Sequence, residues 1–75
     1  MNFDKTFDAS GLSCPLPILK TKKALTDMMS GQVLKLIATD CGAVKDMQAF
    51  ANQTGNILLA TDEANGSYTF YMQKK

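Results

Sequence analysis

The sequence has no histidine and no arginine. Without histidine, Ser-His-Asp and Cys-His nucleophilic catalysis are excluded, and so are most zinc sites. Without arginine, the fork-shaped donors that read phosphate and guanine edges are missing. Eight lysines against seven acids leave a formal net charge of +1, so no domain-wide basic field exists and direct nucleic-acid binding is not expected. The longest apolar runs are a few residues, far short of the ~20 needed to cross a bilayer. The opening residues, Met1-Asn2-Phe3-Asp4-Lys5, lack the charged and apolar regions of a signal peptide. The expected setting is therefore the cytoplasm, where thiols stay reduced. Two cysteines, Cys14 and Cys41, are too few for a disulfide scaffold. With no histidine beside them they make a poor metal site, so neither a metal nor a cofactor is expected.

What is present is one small domain, residues 1–75, with no linker, repeat or low-complexity stretch. Apolar residues at 45% and charged residues at 20% are a globular balance and argue against disorder. A chain this short buries only ~60% of its unfolded surface, so its core is thin.

Periodicity divides the chain into six elements. Phe3 to Asp8 alternates and reads as a strand. Pro15 to Met29 has helical spacing, with Ile18, Leu25 and Met29 on one face and Ser30-Gly31 as the stop. Gln32 to Thr39 is apolar on both faces and reads as a central strand. Asp40 suits an N-cap, and Ala43, Val44, Met47, Phe50 and Ala51 mark a second amphipathic helix that Thr54-Gly55 ends. Ile57 to Thr61 reads as a third strand and Asp62 to Gly66 as a turn, with Asn65-Gly66 favouring positive φ. Ser67 to Gln73 alternates as a fourth strand, with Tyr68, Phe70 and Met72 together. The order β-α-β-α-β-β with right-handed crossovers puts both helices on one face of a mixed four-stranded sheet, a two-layer α/β sandwich.

The chemistry concentrates in Gly11-Leu12-Ser13-Cys14-Pro15-Leu16-Pro17. Pro15 fits a first helical position, and Pro17 still lies in the first turn, where N–H groups lack intrahelical partners. On this reading Cys14 occupies the N-cap. The partial positive charge there, with N–H groups such as those of Leu16 and Ile18, favours thiolate over thiol. Lys20 and Lys23 add positive potential nearby. The plain alternative for any cysteine is a small buried hydrophobe; a proline-locked helix start after a glycine loop argues against it here.

Asp8, Gly11-Leu12, Cys14-Pro15 and Pro17, followed by a lysine-rich helix, resemble the signature of the TusA/SirA-like sulfurtransferase family. The resemblance spans essentially the whole chain and includes Asp40 before the second helix and Gly55 after it. It implies a fold like the C-terminal domain of translation initiation factor three, with sheet order 1-2-4-3 and the fourth strand antiparallel. It implies that Cys14 accepts sulfane sulfur as a persulfide and relays it, with Gly11, Leu12, Pro15, Pro17, Lys20, Lys23 and Asp40 in support. The implied partners are a donor (a cysteine desulfurase, a rhodanese or a thiosulfate importer) and an acceptor sulfur-relay protein. Such carriers serve tRNA thiolation, sulfur oxidation, cofactor or selenium metabolism, and thiosulfate uptake. A monomer is expected.

The sequence departs from the family pattern at three positions. Cys41 stands where proline is common, Phe50-Ala51 replaces an aromatic-cysteine pair, and Asn56 stands where histidine is frequent. Cys41 is a candidate resolving thiol, because both cysteines follow strands expected to run the same way. Two other readings stay open: a thiol–disulfide redox regulator using Cys14 and Cys41, and a non-catalytic interaction module. Lys20, Lys22 and Lys23 form a candidate docking patch for an acidic partner, with Leu16 as an apolar contact beside it.

Overall fold

The computed structural model describes residues 2–13, 15–40 and 42–75. Met1, Cys14 and Cys41 lie outside the described residues. The elements are β1 (Lys5–Ala9), α1 (Leu16–Thr26), β2 (Val33–Ala38), α2 (Ala43–Thr54), β3 (Ile57–Ala64) and β4 (Ser67–Gln73). The sheet order is β1-β2-β4-β3. β1 runs parallel to β2, while β4 is antiparallel to both β2 and β3. This is the β-α-β-α-β-β sandwich expected from the sequence.

The core forms where the alternating strands meet the helices. Leu34, Leu36 and Ala38 of β2 are buried, and so are Phe70 and Met72 of β4. Register pairs Leu34 with Met72 and Leu36 with Phe70, so the two central strands present one apolar surface. From the helices, Ala24 and Leu25 of α1 and Ala43, Met47, Phe50 and Ala51 of α2 close over it. The stripe expected on α2 is the one observed.

Helix α1 differs from expectation at both ends. Pro15, at φ −98° and ψ 17°, is the N-cap, and helical geometry begins at Leu16. The Pro15 carbonyl accepts the first intrahelical bond, from the Leu19 N–H at 3.2 Å. The capping position thus falls on Pro15, one residue later than Cys14. At the other end the helix stops at Thr26, with Asp27 as C-cap, well short of Ser30-Gly31. A turn bond from the Met28 N–H to the Leu25 carbonyl, 3.0 Å, folds Met28 back into the core. Met29, assigned to the buried face by helical spacing, is 74% exposed. The buried face of α1 instead includes Pro17 and Thr21, near its start. Thr21 donates its hydroxyl to the Pro17 carbonyl at 2.8 Å and meets Met47 Sδ at 3.8 Å, so a polar side chain is buried with its hydrogen bond made.

β1 starts two residues late because Asp4 bends toward β2, accepting the Val33 N–H on its carboxylate at 2.8 Å. β3 runs on through Ala64, three residues beyond the expected end at Thr61 and into the expected turn. The reversal is confined to Asn65-Gly66, at φ 54° and 81°, the two positive values of a type I′ hairpin. Gly55, at φ 82°, ends α2 with its N–H on the Ala51 carbonyl at 2.9 Å.

Two stability predictions follow from this packing. Phe70→Ala should lower the unfolding free energy by about 3–5 kcal/mol in urea denaturation, through the cavity it opens at a fully buried position. Gly55→Ala should cost about 1 kcal/mol by the same measurement, because alanine pays for the left-handed backbone that glycine adopts freely. Its added Cβ would stand 2.9 Å from Lys75 Cδ, a flexible side chain that can move aside.

Candidate functional site

Parallel pairing puts the ends of β1 and β2 side by side: Ala9 is opposite Ala38. The chain segments that follow, each leading to a helix start, therefore leave the sheet from one edge. Each opens with the same device. Asp8 accepts the Ser10 N–H at 2.9 Å, and Asp40 accepts the Gly42 N–H at 3.0 Å. An aspartate bonded to the backbone two residues on is a turn that holds itself. The Ser10 hydroxyl, and then its N–H, hold the Asp8 carboxyl below its ordinary value.

The two loops are also tied to each other. The Gly11 N–H donates to Thr39 Oγ1 at 2.8 Å across 28 positions of sequence. Within the first loop the Leu12 N–H returns to the Ala9 carbonyl at 3.1 Å, and Leu12 packs against the core. The Leu16 N–H closes a turn onto the Ser13 carbonyl at 2.9 Å. That donor is spent within the loop and is not available to a sulfur, contrary to expectation. Pro17 is buried while Pro15 and Leu16 are exposed, so one proline anchors the helix start and the other faces outward.

Asp40 does not cap α2 as the sequence suggested. The N-cap of α2 is Gly42, and no side chain caps it. Asp40 instead builds the turn ahead of the helix, with its carbonyl accepting the Ala43 N–H at 3.0 Å. Asp46 lies in the first turn of α2, where an acid complements the helix dipole.

Beside Pro15 a cleft of about 170 Å³ runs between the helices, lined by Pro15, Ile18, Asp46, Ala49, Phe50 and Gln53. On the outer side of α1, Leu16 and Leu19 are 42% and 54% exposed. The expected lysine cluster is divided. Lys20 and Lys23 line a groove against β1 together with Lys5. Lys22 lines a different groove, with Lys74 and Lys75. Cys14 and Cys41 lie outside the described residues; their described neighbours Ser13, Pro15, Asp40 and Gly42 belong to the two tied loops. Among the described residues no cluster of three metal-ligating side chains exists, and no helix is long and apolar enough to cross a membrane.

The sequence did not point to Thr39 or Lys5. A threonine at a strand end carries no signal of a bond to a glycine in another loop, and Lys5 reads from sequence as an ordinary strand charge.

Comparison with known proteins agrees with this architecture. A SirA-like protein of Desulfitobacterium hafniense superposes with a TM-score of 0.82 at 25% identity, covering 93% of this chain and 96% of that one. The sulfur carrier protein TusA of Allochromatium vinosum is 58% identical over 73 residues, 97% of this chain and 96% of its own length. A putative sulfur carrier protein of Neisseria meningitidis is 51% identical over 71 residues, 95% of this chain and 96% of its own. The family model described as sulfurtransferase TusA matches residues 5–74. A shared fold, relatives matched along nearly their full length, and a family model that spans residues 5–74 place this chain in the TusA sulfurtransferase family.

Proposed function

We propose that the protein is a sulfur carrier that takes sulfane sulfur onto Cys14 as a persulfide and passes it to an acceptor protein. The observation that supports this most is the pinned helix start. Gly11 is tied to Thr39, Leu12 and Leu16 are held by turn bonds, and Pro17 is buried. A nucleophile carried on such a loop is presented without the loop having to order itself first.

The chemistry balances without an added catalyst. The Cys14 thiolate attacks the outer sulfur of a donor persulfide, the new S–S bond forms, and the donor leaves as its thiolate. With thiosulfate the leaving group is sulfite. An acceptor thiolate then attacks the outer sulfur of the Cys14 persulfide and returns Cys14 to thiolate. No general base is required if Cys14 enters ionised, which suits a chain without histidine. The donor is a cysteine desulfurase, a rhodanese or a thiosulfate-importing system, and the compartment is the cytoplasm. Leu16 and Leu19, exposed beside the motif, supply apolar contact to whichever partner docks.

A second reading draws on the Gly11–Thr39 bond, which ties the two cysteine-bearing loops. Cys41 then acts as a resolving thiol: it attacks the inner sulfur of the Cys14 persulfide, releases hydrosulfide and leaves a disulfide.

Intact mass after incubation with thiosulfate, or with a cysteine desulfurase and cysteine, separates these readings. The carrier gains about 32 Da, loses it to dithiothreitol, keeps it in Cys41→Ser and fails to gain it in Cys14→Ser. A species about 2 Da lighter than the reduced protein that needs both cysteines would support resolution by Cys41. No adduct under either donor would overturn the carrier reading. Thr39→Val should slow loading severalfold in the same assay, with a stability loss of no more than about 1 kcal/mol, and Thr39→Ser should restore the rate.

A further inference from the structure

β1 is an edge strand, paired among the described residues only with β2. Between it and α1 lies a groove of about 220 Å³ lined by Lys5, Phe7, Lys20, Lys23, Ala24 and Asp27. Its floor is apolar: Ala24 is buried and Phe7 packs against the core. Its rim carries three cations against the one acid, Asp27. Lys5 reaches across the groove, with Nζ 3.5 Å from the Ala24 carbonyl. The two other acids near this edge are engaged elsewhere, Asp4 by the Val33 N–H and Asp8 by Ser10. The opposite edge of the sheet, β3, has the reverse character, with Asp62 and Glu63 both exposed.

We propose that this groove docks an extended, acidic segment of a protein partner, laid along the free edge of β1 with its carboxylates on Lys5, Lys20 and Lys23. A strand edge offers unpaired backbone groups to an incoming chain. The lysines choose the sign of that chain, and the Phe7–Ala24 floor accepts its alternate apolar side chains. The β3 edge repels the same segment, so the sheet has one receptive end. α1 carries both this groove and the Pro15–Pro17 motif, so a segment held here keeps its protein beside the loop of Cys14. The proposal rests on the carrier reading for the partner's belonging to the sulfur relay; the binding itself involves no sulfur chemistry.

The test is an NMR titration of the ¹⁵N-labelled chain without any sulfur donor. The probe is a blocked octapeptide alternating valine and glutamate, with one alternating valine and lysine as control. The acidic peptide should shift amides of Lys5–Ala9 and of α1 around Lys20 to Thr26. Its affinity should fall at least tenfold in Lys20→Glu with Lys23→Glu, fall less in Lys20→Gln with Lys23→Gln, and weaken with added salt. Both lysines are exposed, so the native spectrum should persist in either variant. Equal binding of the basic peptide, unchanged affinity in the variants, shifts centred on β3 or on the open sheet face, or no binding at all would overturn the proposal. So would the same amides shifting with protein concentration alone, since the occupant would then be the β3 edge of a second copy. Because the mass assay for sulfur loading is separate, either result leaves the carrier reading to its own test.

Discussion

The pairing of β2 with β4 is the interaction on which the other elements depend. Among the described residues these strands are the only two flanked on both sides, and their matched residues Leu34, Leu36, Phe70 and Met72 make the surface that both helices cover. β4 reaches that place by turning back at Asn65-Gly66 and inserting between β2 and β3. With β4 on one side of β2, the other side is left to β1, which must run parallel because α1 intervenes. That parallel neighbour is what brings two strand ends, two loops and two helix starts to one edge. The site is thus a product of topology before it is a product of any single side chain.

How much of this was legible in the sequence depended on how each segment is buried. β4 reads cleanly because Phe70 and Met72 alternate with residues of the open face. α2 reads cleanly because its stripe runs to a glycine that must adopt positive φ. α1 misleads because a threonine can be core when its hydroxyl bonds its own backbone, as Thr21 does to Pro17. A methionine just past a helix end, such as Met29, fits the periodicity without being part of the helix. β3 was read short because Asp62, Glu63 and Ala64 are exposed on an edge, where pairing leaves no apolar pattern. Periodicity sees burial; it does not see hydrogen bonding alone.

The site shows the same division. The motif from Gly11 to Pro17 and the turn-forming Asp40 stand out in one dimension because prolines, glycines and aspartates have narrow backbone roles. The bond from Gly11 to Thr39 does not, since it joins residues 28 positions apart. Lysine clustering was legible as charge but not as geometry. Three lysines close in sequence point to two different grooves, and Lys5 joins two of them only once β1 lies beside α1.

The described methionines lie at graded depth, which matters in a fold proposed to handle reactive sulfur. Met29 is mostly exposed, past the end of α1. Conversion to its sulfoxide would add a polar group to a side chain that is already mostly in solvent. Met47 is fully buried, and its sulfur meets the Thr21 hydroxyl at the contact between the two helices. A sulfoxide there would force a polar, chiral oxygen into the layer that holds α1 against α2. Oxidative damage should therefore arrive first at the position that can absorb it, and reach the helix interface only when the domain opens.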